Sequence, residues 1–189
     1  MVRLKALLDA NVLYPAGLRD LLLRLADRYL FAPLWSADIH AEWIDSLSAD
    51  RPDIDRKMLD RTRAVMDRHF PDALVTGYEV LASELDLPDT TDRHVLAAAI
   101  HGRADVIVTA NLRDFPVGSL ALHAIVAQHP DTFVAHLIDV DPEAVLTAVR
   151  GHRAALRNPP RSVSENLFAL ERLGLHKSVS FVRTHESDI

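Results

Sequence analysis

The sequence contains no cysteine among its 189 residues. It therefore has no disulfide framework, no thiolate metal site and no cysteine nucleophile. It also lacks any apolar run of about 18 residues, the length at which a segment is predicted to span a membrane. Residues 1–8 contain too few apolar side chains for a signal peptide. Together these absences favour a protein of the cytoplasm with no membrane association.

Lysine is scarce as well, because only Lys5, Lys57 and Lys177 occur and almost all the positive charge comes from arginine. With 21 Lys and Arg against 27 Asp and Glu, the formal net charge is −6. This balance excludes a strongly basic nucleic-acid binder as a class. It does not exclude a nuclease, because carboxylates that hold a metal ion make the site itself negative.

Short apolar runs alternate with amphipathic segments along residues 1–140. Residues 4–8 and 105–109 are typical of buried parallel strands, and the ambiguous residues 120–126 fit a helix followed by a strand. The alternation predicts a three-layer α/β domain with a central parallel sheet. We expect the alanine-rich helix at residues 93–101 to be ended by Gly102.

Residues 141–189 differ in character and predict a helical C-terminal extension. Two helices are expected at residues 142–157 and 162–173, separated by Asn158-Pro159-Pro160. Ser164, followed by Glu165, fits the start of the second helix as a capping residue. The last residues, 184–189, are expected to be frayed.

Acidic residues follow the predicted strands, where a parallel sheet places its ligands. Asp9 directly follows the first strand, and Asp114 lies in the loop after the strand at residues 105–109. Asp92 begins a helix, and Glu42 lies on a helix that Ser36 is expected to cap. Carboxylates that converge in this way repel one another unless a cation compensates. Their oxygen ligands suit Mg²⁺ or Mn²⁺, which can activate water and polarise a phosphodiester.

Each of these residues also has a simpler interpretation. Asp9 and Asp92 could cap helices, and Asp114 could be a surface turn residue. Three polar residues are secondary candidates near the same edge: Asn11, Thr109 and Asn111. An amide at Asn11 could orient Asp9, while Asn111 and Thr109 could bind or hydrogen-bond the site, or serve only as turn residues.

Four segments resemble the motifs of PIN domains, in the same order and spacing over roughly residues 4–138. They are Leu7-Leu-Asp9-Ala-Asn11-Val-Leu13, Ile39-His-Ala-Glu42-Trp43, Thr91-Asp92-Arg-His-Val-Leu-Ala-Ala-Ala99 and Asp105-Val-Ile-Val-Thr-Ala-Asn111-Leu-Arg-Asp114-Phe115. The resemblance implies a Rossmann-like PIN fold and a metal-dependent endoribonuclease that uses Mg²⁺ or Mn²⁺. It further implies that Asp9, Glu42, Asp92 and Asp114 line the acidic site.

One position departs from the family pattern. Many PIN domains have aspartate where this chain has Asn111, so the fourth site residue is Asp114, Asn111 or both. The relatives that the motifs resemble most are VapC-like toxins of toxin–antitoxin pairs. This resemblance implies an RNA substrate, a cognate antitoxin protein and a homodimer.

Arginines recur at Arg150, Arg153 and Arg157 in the predicted extension. Such a stripe could contact RNA phosphates or could form only a solvated helix face. The alternative to a nuclease is a non-catalytic PIN fold that binds RNA or protein. A receiver domain needs a lysine after a late strand, which the chain lacks. A dehalogenase-type phosphatase needs an acid at Asn11.

Overall fold

The short apolar runs of the sequence form the strands of one parallel sheet. The computed structural model describes residues 3–189, so Met1 and Val2 of the predicted first domain lie outside the described residues. The strands are β1 (Lys5–Leu8), β2 (Ala32–Ser36), β3 (Leu74–Val75), β4 (Val106–Val108) and β5 (Val126–Gln128). Their order in the sheet is β3-β2-β1-β4-β5, with every pair parallel. The predicted fold class is confirmed.

Helices connect the strands and cover the sheet. They are α1 (Ala10–Leu13), α2 (Ala16–Asp27), α3 (Ala37–Asp50), α4 (Arg56–His69), α5 (Glu79–Ala82), α6 (Arg93–Gly102), α7 (Val117–Ala121), α8 (Pro130–Val140), α9 (Pro142–Ala155), α10 (Val163–Arg172) and α11 (His176–Arg183). Right-handed crossovers place α2 to α4 on one face and α6 on the other. The ambiguous residues 120–126 contain the end of α7 and the start of β5.

The buried helix α6 packs closely on the sheet because its inner face is made of alanine. Ala97, Ala98 and Ala99 are fully buried. The expectation that the helix ends at Gly102 is confirmed, since Gly102 is its last residue, and Arg103 follows in the left-handed conformation with φ 55°. Gly102 also serves close packing, because a Cβ there would lie 2.9 Å from a methyl carbon of Val75.

The C-terminal helices pack on the sheet domain through α2 and α8. Helix α9 lies along α2, and α11 contacts both α8 and α10. Helix α9 ends at Ala155, two residues before the predicted end. The residue that caps α10 is Ser162 rather than Ser164, because the Ser162 side chain reaches the Glu165 amide and the Glu165 carboxylate reaches back to Ser162.

The expectation of a frayed C-terminus is also wrong. A 3-10 turn forms at Glu186–Asp188, and the side chain of Ile189 is buried with 8% exposure. The apolar terminal side chain favours burial over solvation. Over residues 3–189, none of the helices has the length and apolar character that crossing a lipid bilayer requires.

Candidate functional site

Two neighbouring strands deliver the first residues of the site to one edge of the sheet. Asp9 follows β1 and Thr109 follows β4, and these strands pair so that Leu8 lies beside Val108. The amide of Asp9 donates to the carbonyl of Val108 at 3.1 Å. The polar residues that end the two apolar runs therefore lie side by side, at the carboxyl edge where open parallel sheets bind ligands.

Asp9 is a buried carboxylate held by three donors. One oxygen accepts the Ala10 amide at 2.6 Å, so Asp9 also caps α1. The other accepts the Asn11 side-chain amide at 2.6 Å and the Thr109 hydroxyl at 2.7 Å. Burial raises the pKa of Asp9, the Thr109 hydrogen bond opposes that rise, and the Glu42 carboxylate adds to it. Capping and a place in the site are thus compatible here.

Asn11 links the two loops that form this edge. Its amide nitrogen donates to Asp9 and, at 2.9 Å, to the Thr109 hydroxyl. Its amide oxygen accepts the Ala110 backbone N–H at 2.9 Å. The Thr109 hydroxyl in turn accepts the Asn111 amide at 3.0 Å. This network fixes the orientation of the Asp9 carboxylate before any ligand binds.

Asp92 lies at the start of α6 and faces the other acids. Its side chain makes no capping hydrogen bond to the helix, whereas Asp89 caps the preceding turn through the Thr91 amide at 2.8 Å. Burial, followed in order of size by the carboxylates of Asp9, Asp114, Asp89 and Glu42, raises the pKa of Asp92 to about 6. The helix-cap interpretation of its carboxylate is therefore not supported.

Glu42 approaches the site from α3 and pairs with a histidine that the sequence analysis missed. His94 Nε2 lies 3.6 Å from Glu42 Oε2. Burial disfavours the charged imidazole, but the Glu42 carboxylate outweighs burial and raises the pKa of His94 above its ordinary value. The sequence signal was the position of His94, two residues after Asp92 on the same helix.

The last two candidates form a pair in the loop after β4. The Asn111 side chain donates a hydrogen bond to the Asp114 carboxylate, and Arg113 Nε donates to the Asn111 amide oxygen at 3.0 Å. Asp114 also acts electrostatically on Asp92. The two residues left open by the sequence are thus neighbours, with the acid oriented by the amide.

A buried network of polar side chains, which the sequence did not reveal, holds helix α3 in place. Trp43 Nε1 donates to His40 Nδ1 at 3.0 Å, so His40 Nε2 carries the proton and donates to Asp67 at 3.1 Å. The guanidinium of Arg19, itself buried, lies 4.6 Å from the centre of the Trp43 ring. These contacts fix the helix turn that carries Glu42.

The acidic side chains at this edge are possible ligands for a divalent cation. In the part of the chain that the structure describes, no three His, Asp or Glu side chains are close enough to form a ready-made metal centre. Mg²⁺, however, binds through one or two carboxylates and keeps several waters. Burial is the largest cause of the raised pKa of Asp9 and of Asp92, and neighbouring carboxylates add to both. An oxygen-rich site with excess negative charge fits such an ion.

The arginines of the predicted stripe do not share one helix. Arg150 and Arg153 lie on α9, but Arg157 lies beyond its end. Arg153 is half-buried, and its guanidinium lies 3.5 Å from the carbonyl of Arg161, to which it donates. His152, near the same end of α9, lies close to Gly17 at the start of α2. This end of α9 therefore lies beside the start of α2.

Comparisons with known proteins agree with the motifs. A family model described as PIN domain matches residues 5–113, and one described as VapC50 C-terminal domain matches residues 130–184. A Mycobacterium tuberculosis (strain ATCC 25618 / H37Rv) protein named "Putative ribonuclease VapC50" is 44% identical over 98 residues. The matched segment covers 52% of this chain and 57% of that protein, little more than half of its length. No solved structure matches the chain.

Proposed function

The chain belongs to the PIN-domain family, and on that premise we propose that it is a VapC-like, metal-dependent endoribonuclease. The observation that carries the proposal is the electrostatic convergence of Asp9, Glu42, Asp92 and Asp114 at one sheet edge. Carboxylates gathered at one edge repel one another, and a bound cation relieves that repulsion. An arrangement of this kind is expected where the cation serves a reaction.

The residues divide into those that would hold the cation and those that position them. Asp9, Glu42 and Asp92 are the proposed ligands, directly or through water, and Asp114 completes the site. Mg²⁺ or Mn²⁺ held there supplies polarisation of the phosphodiester and offsets the charge that develops on the leaving oxygen. Asn11 and Thr109 orient Asp9, and Asn111 orients Asp114.

The same premise extends to partners. The relative's name and the PIN family support an RNA substrate and a cognate antitoxin protein for this chain. A homodimer is part of the same proposal and rests only on the resemblance of the motifs. A non-catalytic PIN fold that only binds RNA or protein is the second candidate. The acids and their positioning amides are all present and face one another, which favours catalysis over this candidate.

Cleavage by purified protein tests the proposal directly. Folded protein, freed of any copurified antitoxin by denaturation and refolding, is incubated with mixed tRNA and rRNA in Mg²⁺, Mn²⁺ or EDTA. We expect cuts with either metal and none in EDTA, with a 5′-phosphate on the downstream product. Circular dichroism verifies refolding. Folded protein that cuts nothing with either metal but still binds RNA would favour the binding module.

The arginines at the end of α9 are proposed to contact RNA phosphates. Replacing Arg150, Arg153 and Arg157 by alanine should weaken RNA binding and reduce its salt dependence. Each lost phosphate contact lowers the slope of log K against log salt by roughly 0.7 for single strands. Filter binding in EDTA at several salt concentrations measures the slope without cleavage. The matched control replaces three arginines of α4, namely Arg56, Arg61 and Arg68. A slope equal to that of the control excludes the contact.

A further inference from the structure

A groove runs from the acidic site between helices α1 and α3. Its volume is about 230 Å³, and it is lined by Ala10, Asn11, Tyr14, Glu42, Trp43 and Ser46. Pockets for drug-sized ligands occupy about 300–1,000 Å³, so the groove suits one small ring system rather than a whole substrate. None of the proposed roles of the acidic site requires this space.

The residues that line the groove lie at two levels along its length. Asn11 and Glu42 lie at the end nearest the acids, and Tyr14 and Ser46 follow three and four residues later. One helical turn advances about 5.4 Å. Tyr14 and Ser46 therefore lie about one turn beyond the acidic residues, on opposite walls. A group bound between them would be attached to a phosphate at the acidic end.

The walls combine a fixed aromatic ring with polar groups. The Tyr14 ring is half-buried, and its hydroxyl donates to Asp50 Oδ2 at 2.8 Å, which holds the ring in one orientation. Trp43, with 1% exposure, is immobilised by its contacts with His40 and Arg19. A ring whose orientation is fixed before binding loses little entropy when a planar ligand stacks on it.

The charge of the groove selects the kind of group that enters. Glu42 lies at one end and Asp50 at the other. Both carboxylates repel a phosphate, so the group that enters between them carries no negative charge. A neutral planar ring with hydrogen-bonding edges matches an aromatic side chain, a serine hydroxyl and a carboxylate acceptor, which is the chemistry of protein contacts with unstacked RNA bases.

We propose that this groove binds the nucleobase attached to the nucleotide at the scissile phosphate, with Tyr14 as its stacking residue and Ser46 facing the base edge. The proposal rests on the proposed function, because it names the part of an RNA that this site takes. It makes the groove a determinant of base preference next to the cut. Tyr14 acts on the substrate base and not on the metal ligands.

A double-mutant cycle between Tyr14 and the base tests the proposal. The probe is a short, fluorescently labelled RNA that spans a mapped cleavage site, either intact or with one abasic nucleotide. Binding is measured by anisotropy in Mg²⁺ with a non-hydrolysable linkage at the scissile position, so that the acids can hold a cation while no cleavage occurs. We expect Tyr14→Ala to weaken binding of the intact RNA about 10- to 100-fold, the usual range for one base stacked on an aromatic side chain. Tyr14→Phe, which keeps the ring, should retain most of the affinity.

The abasic RNA shows whether Tyr14 stacks on the base beside the cut or affects RNA binding in general. Placed next to the cut, it should weaken binding by the wild type as much as Tyr14→Ala does, and should cause little further loss in that variant. Additive losses at every abasic position would overturn the proposal. Tyr29→Ala serves as the matched control, because Tyr29 is 72% exposed and lies after the far end of α2.

Two further measurements separate a loss of base binding from unfolding of the variant and from failure of the proposed function. Thermal unfolding of each variant shows whether the fold is intact, and Tyr14→Phe still tests the ring if Tyr14→Ala is unstable. Cleavage in Mg²⁺ with randomised bases beside the cut should show a flatter base preference for Tyr14→Ala than for wild type. Failure of the wild type to cleave would contradict the proposed function, whereas an unchanged base preference would contradict only the groove assignment.

Discussion

Replacing Asp92 by asparagine should lower metal-dependent RNA cleavage by roughly 10²- to 10³-fold while making the metal-free protein more stable. The loss is expected because Asp92 is a proposed cation ligand that faces three other site acids. The gain is expected because the same carboxylate is repelled by Asp9, Asp114 and Glu42 when no cation is present. If Asp92 served only the stability of the fold, its replacement by asparagine would lower that stability instead of raising it.

The stability gain is modest because Asp92 is partly exposed. The rise of its pKa from 3.8 to about 6 corresponds to about 3 kcal/mol of interaction at 1.36 kcal/mol for each unit. Solvent screening of a half-exposed group reduces this to about 1 kcal/mol in practice. Urea unfolding in EDTA at pH 7 measures the difference. Adding Mg²⁺ should then stabilise the wild type more than the variant.

Asp89 provides a matched control three residues earlier. It is fully exposed to solvent, and its carboxylate accepts from the amide and hydroxyl of Thr91. Asp89→Asn should therefore keep cleavage within about threefold, since only an exposed capping hydrogen bond is changed. If Asp92→Asn cleaves as well as Asp89→Asn at saturating Mg²⁺, Asp92 is not part of the metal site.

The strands that carry the site could be predicted because their sequence pattern is local. Residues 4–8 and 105–109 are short apolar runs followed by polar residues, and they form β1 and β4 within one residue of the predicted limits. Strand β3 has only two residues, and its existence depends on pairing with β2. Val75, far away in the chain, leaves no room for a Cβ at Gly102, a requirement that no local pattern shows.

The site itself could be predicted only in part, because some of its contacts join residues that are far apart in the sequence. The sequence places Asp9 and Asp92 after a strand and before a helix, and the structure brings both to one edge. It could not show that His94 pairs with Glu42, since 52 positions separate them and nothing local couples them. Nor could it show that Asp89, and not Asp92, supplies the capping side chain.

The buried carboxylate of Asp131 connects helix α8 to the start of helix α11. Its replacement is the second change for which we expect a large effect. Asp131 Oδ1 accepts the Ser178 amide at 2.9 Å and its hydroxyl at 2.8 Å, and Oδ2 accepts the Lys177 amide at 2.9 Å. Helix α11 has no capping side chain of its own, since Leu175 occupies its N-cap position. Asp131, from the first turn of α8, therefore caps α11 across the interface.

Asp131→Asn should destabilise the protein by about 2–4 kcal/mol, because its amide group can accept only at one atom and places a donor against the N–H groups of α11. Urea unfolding at pH 7 measures the loss. Hydrogen exchange should show it first in α11, with β1 and β4 less affected. Asp139→Asn, an exposed change on the same helix, is the control and should have little effect.

The pH dependence identifies the carboxylate charge as the cause. Burial alone would raise the pKa of Asp131, but the hydrogen bonds from Ser178 and Lys177 hold it below its ordinary value. An acid whose pKa is lower in the folded state than the unfolded value of about 3.9 stabilises the fold above that pH. This stabilisation is lost as the pH falls through the folded pKa. The stability difference between wild type and Asp131→Asn should therefore be constant near neutrality and shrink below about pH 4. A difference that persists unchanged at pH 3 would mean that Asp131 acts through its shape and not through its charge.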